Sequence, residues 1–451
     1  MKKNITLFLF LLLNYISFTQ SLIGNWKGEL TINGYSLPII FHVDSTETGW
    51  KSTMDSPKQG AKGIPCDLTS VNNKSLLIQI HKIRFTYKGN LTSNDAIQGE
   101  LNQNNASFAL NLQRSYDATE PKTGQRVETS TYTSEDITFI NPKGGHKLAG
   151  TFTFPKDGKA HKTVILISGS GPQNRDGEIL GHKPFLIISD YLTRQGIAVL
   201  RYDERGVANS GGDFTNATTK DLATDVEAAV TYLKTRKEVS EIGLIGHSEG
   251  GLIAPMVASI LPEIKFMVLL AAPGTLGKEI LLDQAKLISE ANKIPENEIQ
   301  KNLDLNSKLY DLIIQNADTN TLKSKLFSGL KTLQGDAFKE NEADLMFQQL
   351  NSPWFRYFVT INPTLYLNKV TCPTLALNGK NDLQVPCDKN LNAIKEAISK
   401  NGNKNVTIVP IKNLNHLFQT SKTGNPSEYS SIEETFSPKA LKIMGEWILG
   451  L

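Results

Sequence analysis

The sequence predicts an α/β protein, a mostly parallel sheet with helices on both faces and a helical cap, preceded by a small all-β domain. Three observations predict it. Residues 22–113 hold short runs of strand length separated by turn signals, the spacing of a small barrel or sandwich. From Asp136 onward, runs that are apolar throughout alternate with helical segments, as buried parallel strands and their covering helices do. Between Pro273 and Val370 the alternation stops and only helical segments remain. An insertion at that point would sit above the strand ends as a cap, at about 275–370, and shape a pocket there.

At 451 residues the chain invites two domains. An apolar fraction of 39% and a charged fraction of 21% describe a soluble globular protein. A net charge of +3 is too small to suggest a nucleic-acid partner, and no basic run with interleaved aromatics occurs. Cys66, Cys372 and Cys387 make an odd count, so at least one is free or pairs between chains. Cys372 and Cys387 flank a predicted strand and its turn, which argues against a bridge between them.

Lys2 and Lys3 precede a nearly continuous apolar run, Ile5–Phe18, and Ser17 and Thr19 supply the small residues of a cleavage site before Gln20. Residues 1–19 therefore read as a signal peptide. The run of about 14 residues is short of the ~20 that span a bilayer, and an uncleaved anchor is the competing reading. The mature chain is expected to be exported, periplasmic or secreted, with no membrane span. The sequence sets no oligomeric state.

In the all-β part, Leu37–Val43, Ser75–Ile80, Arg84–Tyr87, Ile97–Leu101 and Ser107–Leu112 are candidate strands. Asn33-Gly34, Thr48-Gly49, Asn72-Asn73 and Lys88-Gly89-Asn90 supply turns between them. The opening Gly24-Asn25-Trp26 resembles the G-x-W start of lipocalin-like barrels, in which the tryptophan closes one end. Capture of an apolar ligand is one use for such a domain, and a packed module that steadies the enzyme is the plainer one. Residues 114–134 hold almost no aliphatic side chains and read as a linker.

The domain over 135–451 opens with a hairpin, Ile137–Ile140 and Lys147–Phe154. Thr163–Ser168, Ile197–Tyr202, Ile242–Ile245, Phe266–Ala271, Pro373–Asn378 and Val406–Pro410 follow as strands. Helices are expected over Pro184–Gln195, Thr219–Thr235, Leu252–Ile260, Asp388–Lys400 and Pro438–Leu449. Thr219–Thr235 carries Leu222, Val226, Ala229, Val230 and Leu233 on one stripe. Inside the cap, Glu279–Ala291, Asn297–Gln315 and Ala343–Gln349 are helical in character.

Gly246-His247-Ser248-Glu249-Gly250 joins a predicted strand to a predicted helix, the setting of a nucleophile elbow. The turn there is so tight that only glycines two places before and after the serine leave room. A serine hydroxyl attacks only when a base takes its proton. Of the seven histidines, His416 lies in a loop just after the last predicted strand, where a base would meet Ser248. His247 neighbours the serine in the chain, so its ring is expected to point away from the site. Asp382, in the turn leaving strand Pro373–Asn378, is placed to orient the base, and Asp388 is the fallback. The oxyanion calls for two preorganised amides. One is expected from Glu249, at the helix N-terminus. The other is expected from the glycine-rich loop after Thr163–Ser168, with Ser170 as first choice and Gly171 as second.

These stretches carry a resemblance. SGSGPQNRDG at 168–177, RYDERGVANSGG at 201–212, GHSEGG at 246–251, LNGKNDLQVP at 377–386 and LNHLFQ at 414–419 resemble, in that order, the α/β-hydrolase superfamily. Within it they are similar to exported bacterial carboxylesterases near the serine aminopeptidase-like group. The resemblance implies the α/β-hydrolase fold, nucleophile Ser248, acid Asp382, base His416 and an oxyanion loop at Gly169–Gly171. Ser168 stands where many relatives have histidine, and Ala208 replaces a glycine of the R-G-x-G-x-S segment. Asp203 and Arg205 are expected to brace the turn they occupy. Trp354-Phe355-Arg356-Tyr357-Phe358 would either line an acyl or aryl pocket or pack the cap.

The expected activity is hydrolysis of a small-molecule carboxylic ester through an acyl-enzyme, without metal or cofactor. A serine peptidase or aminopeptidase on the same three residues is the first alternative. It would need a carboxylate for the peptide amine, for which the cap offers Glu279, Asp283, Glu342 and Asp344. A thioesterase, and a ligand-binding protein with an inactive hydrolase fold, are the others.

Overall fold

The computed structural model describes residues 22–451 apart from 33–34, 47–48, 57–60, 73, 94, 104–105, 116–124, 126, 336–337, 339 and 401. The signal-peptide reading over 1–19 lies outside the described residues. The chain forms two compact units that part between residues 120 and 121.

The first unit is built of antiparallel strands: β1 (Gly24–Ile32), β2 (Tyr35–Thr46), β3 (Gly49–Ser56), β4 (Ala61–Pro65), β5 (Leu68–Asn72), β6 (Ser75–Ile80), β7 (Phe85–Ser93), β8 (Ala96–Gln103), β9 (Ala106–Ala109) and β10 (Leu112–Ser115). They make one sheet in the order β4-β3-β2-β1-β10-β8-β7-β6-β5, with β9 on β8. The two sides of that sheet approach each other where Ser52 Oγ of β3 bonds Thr69 Oγ1 of β5 at 2.7 Å. Trp26, Phe41, Ile78, Tyr87 and Ile97 fill the inner face. The Trp26 indole donates to Leu22 O at 2.9 Å and lies under the Arg114 guanidinium at 4.2 Å. The run Ser107–Leu112, expected as one strand, is divided between β9 and β10, which pair with β8 in different places.

The second unit is organised by an eight-stranded sheet in the order β11-β12-β14-β13-β15-β16-β17-β18. Its strands are β11 (Tyr132–Asn141), β12 (His146–Pro155), β13 (His161–Ile167), β14 (Ala198–Tyr202), β15 (Val239–His247), β16 (Ile264–Leu270), β17 (Thr374–Gly379) and β18 (Val406–Ile411). β11, β12 and β14 pair antiparallel, and the rest of the sheet is parallel. Buried on both faces, β13 has no polar side: Val164 and Leu166 point to one core, Ile165 and Ile167 to the other. Each such aliphatic side chain contributes about 1.5–3 kcal/mol by leaving water. Helices α1 (Pro184–Arg194) and α11 (Pro438–Leu449) cover one face, and α2 (Thr219–Leu233), α3 (Gly250–Ala258) and α10 (Cys387–Ser399) the other. A reciprocal capping box starts α2, where Thr218 and Asp221 satisfy each other's amides.

The cap lies between β16 and β17. It comprises α4 (Gly277–Ala291), α5 (Glu296–Ile314), α6 (Thr319–Gln334), α7 (Glu340–Leu350), α8 (Pro353–Phe358) and α9 (Thr364–Leu367). Its core of Leu309, Tyr310, Leu322, Leu326 and Phe355 takes in Leu252 of α3, so the cap rests on the helix that follows the elbow. No helix among the described residues is long and apolar enough to cross a membrane.

One detail differs from expectation. The stretch 114–134 is not free throughout: Ser115 still belongs to β10. Farther along, Gln125 Nε2–H donates to Phe436 O at 2.8 Å, and Glu128 N–H to Asp190 Oδ1 at 2.9 Å. His146, which opens β12, is buried, with Nε2 2.9 Å from Asp225 Oδ1. Cys66, Cys372 and Cys387 are free thiols.

Candidate active site

The crossing from β15 to α3 fixes Ser248. A Cβ at residue 246 would stand 2.1 Å from Gly250 O, and one at residue 250 would stand 2.2 Å from Ile167 O. Glycine is therefore required on both sides. Ser248 itself takes φ +53°, a left-handed conformation costing about 1–2 kcal/mol for a residue with a Cβ. Ser248 N–H donates to Leu270 O at 2.9 Å, and Gly251 N–H to Ser248 O at 2.8 Å. The strain is held by the sheet on one side and the helix on the other.

His416 Nε2 lies 3.0 Å from Ser248 Oγ, and its Nδ1 lies 2.9 Å from Asp382 Oδ2. A carboxylate can only accept, so Nδ1 carries the proton and Nε2 is left to accept from the serine hydroxyl. Asp382 Oδ1 is occupied by Gln384 N–H at 2.8 Å and Val385 N–H at 2.9 Å. That leaves Oδ2 for the imidazole alone. Asp382 and His416 are both buried, at 3% and 4% exposure, so the pair acts out of water, where its electrostatics are strongest. The 413–419 loop that carries His416 is tied by Asn415, whose Oδ1 accepts from Leu417 N–H and Gln419 N–H at 3.0 and 2.9 Å. Asp388 is not part of this cluster: it is exposed and pairs with Lys380 at 2.6 Å.

The loop after β13 lies against the nucleophile, where a Cβ at residue 169 would be 3.1 Å from Ser248 Cβ. Among the described residues, the amides of Ser170, Gly171 and Glu249 have no backbone partner. They are thus free to receive an oxyanion. Glu204 anchors the far end of this loop: its Oε2 accepts from Gln173 N–H at 2.8 Å, and its own N–H donates to Gln173 O at 3.2 Å. Asp203 binds the Arg175 guanidinium at 2.7 Å, and Arg205 binds Asp225 at 2.7 Å. Both residues brace the turn, on partners from the loop after β13 and from α2. Among the described residues, no group of three His, Cys, Asp or Glu side chains is placed to hold a metal.

The sequence reading assigns no part to two neighbours of the nucleophile. His247 does not point clear of the site: its Nε2–H donates to His416 O at 2.9 Å, with the two rings 5.0 Å apart. Burial, and less strongly the His416 ring, push His247 down to about 4. A neutral ring there adds no like charge beside an imidazolium at 416. In the unfolded chain His247 takes up a proton near pH 6.5, which the folded protein refuses until about pH 4. Its contribution to stability is therefore present at neutral pH and shrinks as pH falls through that window, by about 3 kcal/mol in all. Urea unfolding of wild type and His247→Gln between pH 7 and pH 4 is expected to show the wild type losing ground to the variant. Parallel pH profiles would refute it. The second neighbour is the side chain of Glu249, buried at 1% exposure. Burial pushes its carboxyl up. Neither neighbour has a local sequence signature, since the His416 carbonyl that His247 meets and the Trp354 indole that donates to Glu249 lie 169 and 105 residues away.

Comparison with known proteins adds a family. The model of the family described as Serine aminopeptidase, S33 matches residues 185–420. Esterase EstD of Thermotoga maritima is 27% identical over 304 residues, which is 67% of this chain and 64% of that protein. The chain thus spans just under two thirds of that relative. An acyl transferase of Shewanella woodyi is 26% identical over 227 residues, 47% of this chain and 71% of that one. Among solved structures, the Pyrococcus furiosus esterase Pf2001 is 19% identical and superposes with a TM-score of 0.43, covering 74% of this chain and 98% of its own. Est1E of Butyrivibrio proteoclasticus, with ferulic acid bound, is 20% identical with a TM-score of 0.42, covering 70% and 98%.

Proposed function

The chain belongs to the serine aminopeptidase S33 family, and from that premise we propose that it is a serine hydrolase cleaving small carboxylic esters through an acyl-enzyme. The observation that carries the reading is the continuous relay from Ser248 Oγ through His416 to Asp382, at 3.0 and 2.9 Å. Ser248 Oγ attacks the ester carbonyl while its proton passes to His416 Nε2. Asp382 holds the tautomer and stabilises the imidazolium. The amides of Glu249 and Ser170, with Gly171 as the alternative to Ser170, receive the oxyanion. The imidazolium then gives its proton to the departing alkoxide, which leaves as the alcohol. Water, losing its proton to His416, attacks the acyl-serine and releases the acid. Export, read from residues 1–19, belongs to the same proposal.

An esterase is favoured over an aminopeptidase by the state of three of the four cap carboxylates, the side chain of Glu342 lying outside those described. Glu279 and Asp283 both face Lys389, at 3.4 and 2.6 Å, and Asp344 faces Lys323 at 2.7 Å. Engaged with lysines, they are poorly placed to take a substrate ammonium. The expected result is hydrolysis of p-nitrophenyl acyl esters with kcat/KM at least about a hundredfold above that for aminoacyl p-nitroanilides, a gap of roughly 2.7 kcal/mol. Faster cleavage of the anilides would replace the proposal with the peptidase.

A further inference from the structure

Glu249 joins the nucleophile elbow to the cap. Its Oε1 accepts from Thr219 Oγ1–H of α2 at 2.6 Å and from Trp354 Nε1–H of α8 at 2.8 Å. Among the described residues, its Oε2 is sealed from solvent and meets no hydrogen-bond partner. The Ser170 hydroxyl acts on the same carboxyl and favours its charged form. Burying a carboxyl beside no cation costs several kcal/mol unless it stays neutral, and an apolar side chain would fill the volume more cheaply. Packing alone therefore does not account for a glutamate here, but its two acceptor bonds do.

Trp354 is held from two directions. Its N–H goes to Glu249, and its ring stacks on Phe358 with centroids 5.0 Å apart and planes at 26°. Ser352 caps α8 by accepting Phe355 N–H at 3.2 Å, and Pro353 preorganises the first turn. The helix presenting the indole is thus firm at its start. The indole thus bonds the residue that follows Ser248 in the chain, and Trp354, packed against the cap core, stays part-exposed.

We propose that Glu249 is a positioning residue that fixes Trp354 as a wall of the acyl pocket, so that the enzyme selects esters of short acyl chains. The proposal rests on the esterase reading. It places selectivity in a bond between residue 249 and residue 354, apart from the relay that makes Ser248 reactive.

The test is the ratio of kcat/KM for p-nitrophenyl octanoate to that for p-nitrophenyl acetate, measured on wild type, Trp354→Ala, Glu249→Leu and Glu249→Gln. Ser248 labelling by a fluorophosphonate and far-UV circular dichroism are recorded alongside. Trp354→Ala is expected to raise the ratio about tenfold or more. Glu249→Leu removes the acceptor and is expected to raise it in the same direction. Glu249→Gln keeps an oxygen for both donors and should keep the wild-type ratio, whatever its absolute rate. Should Glu249→Leu fail to fold, Trp354→Phe breaks the same bond from the other end and is expected to raise the ratio too. An unchanged ratio in Trp354→Ala, or in a folded and labelled Glu249→Leu, overturns the proposal. So does a Glu249→Gln that shifts as far as Glu249→Leu. A wild type that neither labels nor hydrolyses esters overturns the esterase reading instead.

Discussion

Ser248→Ala is expected to abolish ester hydrolysis, lowering kcat on the order of 10⁵- to 10⁶-fold, while leaving the fold intact. The size follows from the chemistry. Without Oγ no acyl-enzyme forms, and the residue of catalysis comes from the oxyanion amides and substrate binding alone. The intact fold follows from the geometry. Alanine has the same Cβ as serine, so it meets the φ of +53° with the same strain and no new contact. The bond lost is the one to His416 Nε2 at 3.0 Å, at a site that is part-exposed and where water can replace the hydroxyl. Steady-state hydrolysis of a p-nitrophenyl ester, with circular dichroism as the control, checks both halves. A mass-spectrometric fluorophosphonate adduct should map to Ser248 in the wild type and be missing from the variant. A variant within about a hundredfold of wild type, a gap of only ~2.7 kcal/mol, would remove Ser248 from the mechanism.

The elbow was legible in the sequence because its constraint is local. Gly246 and Gly250 are required by contacts to Gly250 O and Ile167 O, and a strand and a helix flank them in the chain. Asp382 and His416 were legible through chain order and strand ends, since a parallel sheet brings the loops at one set of strand ends together. What escaped was tertiary. The bond from His247 to His416 O ends on a backbone carbonyl, which any residue type supplies. The bond from Glu249 to Trp354 depends on how the cap lies over α3. Helix α6 escaped for a different reason: TNTLKSKLFSGLKTLQ is rich in Ser, Thr and Gly, and its fully buried side chains are Leu322, Leu326 and Leu330, with Phe327 half-buried beside them. In the β unit, β4 reads AKGIP, which has neither alternation nor β-branched runs. It exists because β3 offers an edge to pair with.

Asp382→Asn carries the second large effect and isolates orientation from nucleophilicity. The two amides on Oδ1, from Gln384 and Val385, hold equally well to an asparagine carbonyl. They therefore force the NH₂ group into the place of Oδ2, facing His416 Nδ1 at 2.9 Å. Nδ1 must then accept, the ring proton moves to Nε2, and Nε2 can no longer take the proton of Ser248. The expected loss is on the order of 10⁴ in kcat, with KM little changed because no substrate contact is removed, and with fold and melting behaviour retained. Asp388→Asn is the matched control. Asp388 is exposed and its partner is Lys380, a solvent-screened surface pair that contributes little, so that variant should keep wild-type kcat. The two substitutions delete the same charge in one turn of chain, six residues apart in the sequence. Equal losses would mean that net charge near the site drives the rate, and a loss in Asp388→Asn alone would transfer the orienting role to that residue. Loss confined to Asp382→Asn is the result a fixed imidazole tautomer requires.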